Sequence, residues 1–135
     1  MPKVLPGASD LQNLVGEIVV KPVDYIVADM VSHVFTVPVP AGTIVLGVGH
    51  EVKTAFSGGS TPTVTIGDGT TVALFAASAE IVPGTVNTFA FKVAAKKYSA
   101  VGSIKVTVHA DVTAGAGKMY ILMIDLNGNG RLPSI

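Results

Sequence analysis

A chain of 135 residues without cysteine excludes a disulfide scaffold and any Cys-ligated zinc site, and its length lets it bury roughly two thirds of its unfolded surface without such staples. Nine Lys+Arg balance nine Asp+Glu, and the densest basic spot, Lys92, Lys96 and Lys97, is short and has no aromatic platform, which argues against nucleic-acid binding. Apolar residues make up 49% of the chain but form no run near the roughly 20 residues that span a bilayer, so the surplus points to a surface covered by other protein chains.

In chain order, residues 1–7 hold two prolines and a glycine and read as an arm. Met1-Pro2-Lys3 is followed by no apolar core, so no secretory signal is expected. A short helix is predicted over residues 9–15, capped by Ser9 or Asp10. Residues 17–21 and 31–37 are weaker strand candidates, and Pro38-Val39-Pro40-Ala41-Gly42 breaks the second from the next. Residues 43–56 read as a strand with Ile44, Leu46, Val48, Val52 and Phe56 on one face. Gly47 and Gly49 lie on the other, where a neighbouring backbone has room to approach.

Ser57-Gly58-Gly59-Ser60 and Gly67-Asp68-Gly69 read as hairpin turns around a strand at residues 62–67 that alternates Val64 and Ile66 with Thr63 and Thr65. A turn is expected near residues 76–81. Residues 86–93 place Phe89, Phe91 and Val93 together. The clearest alternation is at 103–112, with Ile104, Val106, Val108, Ala110 and Val112 on one face and Ser103, Lys105, Thr107, His109 and Asp111 on the other. Residues 113–117 read as a hairpin into a last strand, 119–124, which is apolar on both faces and therefore central or covered by another subunit. About eight antiparallel strands at this spacing predict an all-β sandwich of jelly-roll type over residues 16–126, with an N-terminal arm at 1–15 and a tail at 127–135.

Few residues suggest chemistry. Asp125-Leu126-Asn127-Gly128-Asn129-Gly130 matches the first half of a calcium loop, but the twelfth position, where a bidentate glutamate belongs, lies one residue past Ile135. Asn and Gly also cluster in ordinary turns, which is the reading preferred here. His33, His50 and His109 show no pair at zinc-ligand spacing. His50 falls on an apolar parity and is expected to be a hydrogen-bonded core histidine or to lie near a subunit contact, whereas His109 is expected in solvent. Neither a Gly-x-Ser-x-Gly elbow nor a phosphate loop occurs, and nothing makes Glu17, Glu51 and Glu80 converge. No catalytic residue, metal or cofactor is therefore assigned. Phe35, Phe56, Phe89 and Phe91 read as core, which leaves Tyr98, in Lys96-Lys97-Tyr98-Ser99, as the best exposed aromatic.

Residues 35–125 resemble a loose group of small structural proteins of tailed bacteriophages. The likeness rests on Phe35-Thr36-Val37-Pro38-Val39-Pro40-Ala41-Gly42-Thr43, on Val64-Thr65-Ile66-Gly67-Asp68-Gly69-Thr70, on the Lys97-Tyr98-Ser99-Ala100 loop, and on the paired segments 104–112 and 117–125. The resemblance implies a virion component: a head decoration (cement) protein on the capsid surface, made in the bacterial cytoplasm, trimeric, with the major capsid protein as partner. The alternatives are a head-fibre or tail-associated domain recognising a host glycan or protein, and a carbohydrate-binding module unrelated to phage. Expected contact residues are Val4, Leu5, Leu11 and Leu14 in the arm and Met119, Ile121 and Met123 in the last strand.

Overall fold

A computed structural model describes residues 18–59 and 62–125. Its strands are β1 (Ile18–Ile26), β2 (Val34–Val39), β3 (Thr43–Ser57), β4 (Val64–Gly67), β5 (Phe89–Ala90), β6 (Lys96–Tyr98), β7 (Gly102–Val108) and β8 (Ala114–Asp125). A single 3-10 turn follows β1 (Val27–Asp29), and another (Ser78–Glu80) occupies the turn expected near residues 76–81.

The strands form two antiparallel sheets. The larger runs β1-β8-β3, with β5 and β6 both on the far edge of β3, and the smaller runs β2-β7-β4. Consecutive strands β1 and β2, β3 and β4, and β7 and β8 lie in opposite sheets, so the chain winds around the core as a jelly roll. Where a fourth strand would complete the smaller sheet, only Ala76 bridges Ile66.

This winding corrects two of the predicted hairpins. The loop after Ser57 leads from β3 into the opposite sheet, and of the hairpin predicted at 113–117 residues 114–117 belong to β8 itself, the crossing from β7 being made by 109–113, so neither joins a bonded pair. Glycines at φ +105° and +71° (Gly58 and Gly59) do reverse the chain. A local turn specifies reversal, but the buried face of the next strand decides which sheet it joins.

The core lies between the sheets. From β7 come Ile104, Val106 and Val108, and from β4 come Val64 and Ile66, on the predicted parity. The β7 strand stops at Val108. Ala110 is exposed in the loop, while Val112 still turns inward.

The parity of β3 is corrected in its first half. Val45 pairs with Met123 and Gly47 with Leu122, so Leu46 is an extra residue in a β-bulge. A bulge switches the faces, which sends Val45 inward with Val48, Val52 and Phe56 and leaves Ile44 and Leu46 only half-buried on the outside. The last strand, β8, is central, flanked by β1 and β3.

Candidate interaction surface

Register defines the outer face of the larger sheet. Ile18 pairs with Ile124, Val20 with Leu122 and Pro22 with Tyr120 across β1 and β8. On the other side Ile44 pairs with Ile124, and Gly49 with Tyr120. Ile18, Val20, Ile44, Leu46, Leu122 and Ile124 thus form one aliphatic patch, with Ile18 64% and Val20 53% exposed.

This arrangement places the expected contact residues of β8 elsewhere. Met119 and Ile121 are 0% and 1% exposed, in the core, and Met123 is half-buried against it. Strand parity is the reason: odd positions of β8 face the second sheet, so Tyr120, Leu122 and Ile124 are the outward side chains. The arm residues Val4, Leu5, Leu11 and Leu14, the predicted helix and the calcium-like turn after Asp125 lie outside the described residues.

Aromatic rings extend the patch. Phe89 and Phe91, read from sequence as core, are 59% and 45% exposed. They lie across the outside of β3, where a Cβ on Gly49 would come within 2.7 Å of the Phe89 ring and one on Gly47 within 2.8 Å of Phe91. The two glycines therefore admit the close approach expected of them: at Gly47 the Lys92 backbone carbonyl, 2.7 Å from the same Cβ, comes as near as the Phe91 ring, and at Gly49 a ring alone does. Their alternation in sequence is real; a β5 of two residues shows that it belongs to a segment lying on the sheet.

Phe89 also packs against Tyr120, with centroids 5.9 Å apart and planes at 60°. Tyr120 donates its hydroxyl proton to Glu51 Oε1 at 2.8 Å, and Lys118 Nζ sits 5.7 Å from its ring centroid. That hydrogen bond to Glu51 is the main reason the Tyr120 phenol is raised above its ordinary value. The outer face is thus aliphatic at one end and aromatic with an ionic rim at the other.

Tyr98, the expected exposed aromatic, is 4% exposed. It stacks where a Cβ on Gly102 would lie, 2.6 Å from the ring, and donates to the Ser103 carbonyl at 2.9 Å. Burial and then the Asp68 carboxylate push its phenol up to about 12. Asp68, in one segment that carries the phage resemblance, thereby meets the residue that precedes another: Asp68 Oδ2 lies 3.0 Å from Lys96 Nζ, while Asp68 Oδ1 accepts the Thr70 and Thr71 N–H groups at 2.9 and 2.6 Å. Burial pushes the Asp68 carboxyl up, but Thr71, Lys96 and Thr70 together outweigh it and hold the group below its ordinary value.

Replacing Asp68 with alanine strands both N–H groups and the ammonium, so a loss of about 1–2 kcal/mol is expected from chemical denaturation, with asparagine in between. An alanine variant as stable as the parent would remove any structural role for this turn. Lys92 is likewise paired, 3.0 Å from Glu80.

His50 is the core histidine expected. Its Nε2 and Tyr25 Oη share a hydrogen bond at 2.5 Å, within a cluster that includes Phe35 and Phe56. His33 Nε2 lies 3.2 Å from the Val112 carbonyl, and His109 is half exposed beside Asp111. Among the described residues no three His, Asp or Glu side chains come together as metal ligands.

The sheets splay at one end. Val19, Lys21, Val23 and Tyr25 are the inward positions of β1, yet exposure rises from 4% at Tyr25 to 42% at Val19. Between β1 and β2 this opens a groove of about 400 Å³ lined by Val19, Pro22, Val37, Val39, Pro40 and Met123, with Ile121 at its base.

No protein-family model matches the sequence, and no curated protein does. Among solved structures, a chain of the cyanophage Pam1 capsid asymmetric unit superposes with a TM-score of 0.62, over 92% of this chain and 93% of that one, at 18% identity. At that identity the likeness shows a shared fold: this chain adopts the β-sandwich of a protein found in a phage capsid.

Proposed function

We propose that this chain is a capsid decoration protein of a tailed bacteriophage, one that binds the assembled head and stabilises it. The observation that carries the reading is the near end-to-end likeness to a chain of a capsid asymmetric unit. The exposed aliphatic patch on the outer face of the larger sheet supports it, because an apolar patch of this kind is characteristic of surfaces that meet other proteins. A decoration protein acts by linkage: it binds the intact shell and not its dissociated subunits, and at about 100 times its Kd each site adds about 2.7 kcal/mol to the assembled form. In this reading the major capsid protein is the partner, residues 1–15 make the contact, and the protein resides on the capsid surface.

The test is addition of the purified protein to undecorated heads of the phage that encodes it. Co-sedimentation and a higher disruption temperature are expected. Removal of residues 1–15 should abolish co-sedimentation while the circular dichroism of the sandwich persists. Heads that neither bind the full chain nor gain thermal resistance would end the proposal.

Self-association through the outer face, as a homotrimer, is part of the same reading. Val20→Glu, in the aliphatic patch and 53% exposed on edge strand β1, should convert the oligomer to monomer in light scattering while shifting stability by less than about 0.5 kcal/mol, as a surface change does. An unchanged mass would remove this face from the interface.

Phe89 and Phe91 favour one further reading, a head-fibre or tail domain that binds a host glycan, because exposed rings beside a carboxylate suit a sugar face. Binding on a glycan array, lost on Phe89→Ala, would favour it over decoration.

A further inference from the structure

The splayed end of the sandwich leaves core side chains open to a groove, and the chain enters β1 at that same end. Val37, Val39 and Ile121 are core residues that also line it. Val19, one position after the first described residue, Ile18, forms part of its wall. Such an opening at the end of a core is costly to leave hydrated, since apolar burial is the main favourable term in folding.

Two segments of this chain begin beside the groove: residues 1–17 before Ile18, and residues 126–135 after Asp125, because Ile18 and Ile124 are paired. The second starts Leu126-Asn127-Gly128-Asn129-Gly130, a single leucine followed by four residues without an apolar side chain. The first places Leu11, Leu14 and Val15 at i, i+3 and i+4, the spacing of one helical face. Leu14 stands five residues before Val19, a reach of at most about 17 Å, and Gly16 between them permits a reversal.

We propose that the groove between β1 and β2 is filled by residues 9–15 of the same chain, with Leu11, Leu14 and Val15 seated against Val19, Val39 and Met123. Tethering favours the same chain over a neighbour, because a short link sets an effective concentration near millimolar. The seat roots the arm and, within the proposed decoration reading, narrows the capsid contact of residues 1–15 to their first part, with Val4 and Leu5 upstream of Pro6-Gly7.

The absence of cysteine makes cross-linking in the full chain direct to interpret. Leu11→Cys, Leu14→Cys and Val15→Cys would each be combined with Pro40→Cys, which is exposed on the groove rim. Under mild oxidation at least one pair should close a disulfide within a chain, at a yield independent of protein concentration. Leu14→Cys with Leu46→Cys, on the outer face, should not.

A second measurement uses no cysteine. In Leu11→Asp/Leu14→Asp, amide exchange in β1 and β2 near the groove should speed at least tenfold while that of β7 stays unchanged. Disulfides only between chains, closure of Leu132→Cys onto Pro40→Cys in place of the arm, or unchanged exchange would each overturn the assignment. Both measurements use isolated protein without capsids, so failure here and failure of the decoration reading are separate results.

Discussion

Gly117→Ala should destabilise the sandwich by about 3 kcal/mol, several times the effect of Gly84→Ala. Gly117 lies on central β8, opposite Val52 of β3 and Tyr25 of β1. A Cβ there would stand 2.6 Å from His50 Nε2, 2.7 Å from Tyr25 Oη and 2.8 Å from the Tyr25 ring. Those are not flexible ends with room to retreat, for both side chains are buried and packed against Phe56.

Overpacking of this kind costs about 1–3 kcal/mol, and prising apart the buried hydrogen bond adds about 1–3 kcal/mol more. At Gly84 none of the described residues lies within 4 Å of the same atom. Urea denaturation of both variants decides the matter. Equal midpoints would mean that the Tyr25–His50 pair can shift at no cost.

That cluster shows where sequence reading succeeds and where it stops. The alternation at Ile104, Val106 and Val108 is visible because β7 is regular and covered on one face, so period two in sequence becomes inside and outside in space. The central place of β8 follows from its apolar residues on both faces. Parity alone could not assign Ile44 and Leu46, because the bulge at Leu46 leaves no signature among Val45, Leu46 and Gly47.

The exposed position of Phe89 and Phe91 was hidden for a related reason. Apolar alternation reports a segment that lies along a sheet, but not whether it lies between two sheets or on the outside of one. The glycines beneath them, Gly47 and Gly49, were the available clue: side chains small enough to be covered point to something that covers them. The opposite error with Tyr98 came from its lysine neighbours. Alternation in β6 turns Tyr98 inward and Lys97 outward, while Lys96, on the same face as Tyr98, pairs with Asp68, a contact between residues 28 apart that no local pattern encodes. For the outer face of the larger sheet, the sequence carried the excess of apolar residues, and only the register shows which side chains of β8 lie on it.

Acid should weaken the fold through His50 at a higher pH than through Asp68. Burial drives the His50 imidazole down to about 4 from an ordinary 6.5, with Glu51 pulling weakly the other way. Among the described residues, Nδ1 has no hydrogen-bond partner, so a second N–H formed on protonation would meet no acceptor.

The unfolded chain takes up this proton near pH 6.5 and the folded chain only near 4, so between those values the unfolded state binds more protons. Stability is therefore fully present above about pH 7, falls as pH drops through 6.5 toward 4, and is reduced by about 3 kcal/mol at the lower limit. Asp68 acts in a different window, since a carboxyl held below its ordinary value loses its contribution only as pH falls below that value, 3.8.

The range from pH 6.5 to 4.5 thus isolates the histidine. His50→Gln retains a side chain able to hydrogen-bond Tyr25 but does not titrate, so its stability should be flat across that range, while the parent should lose most of the 3 kcal/mol noted above. A variant with the same acid slope as the parent would place the proton uptake elsewhere. Because His50 pairs across the sheet with Met119, two positions from Ile121 at the base of the groove, the same titration also probes the strand that joins the core to the proposed seat of the arm.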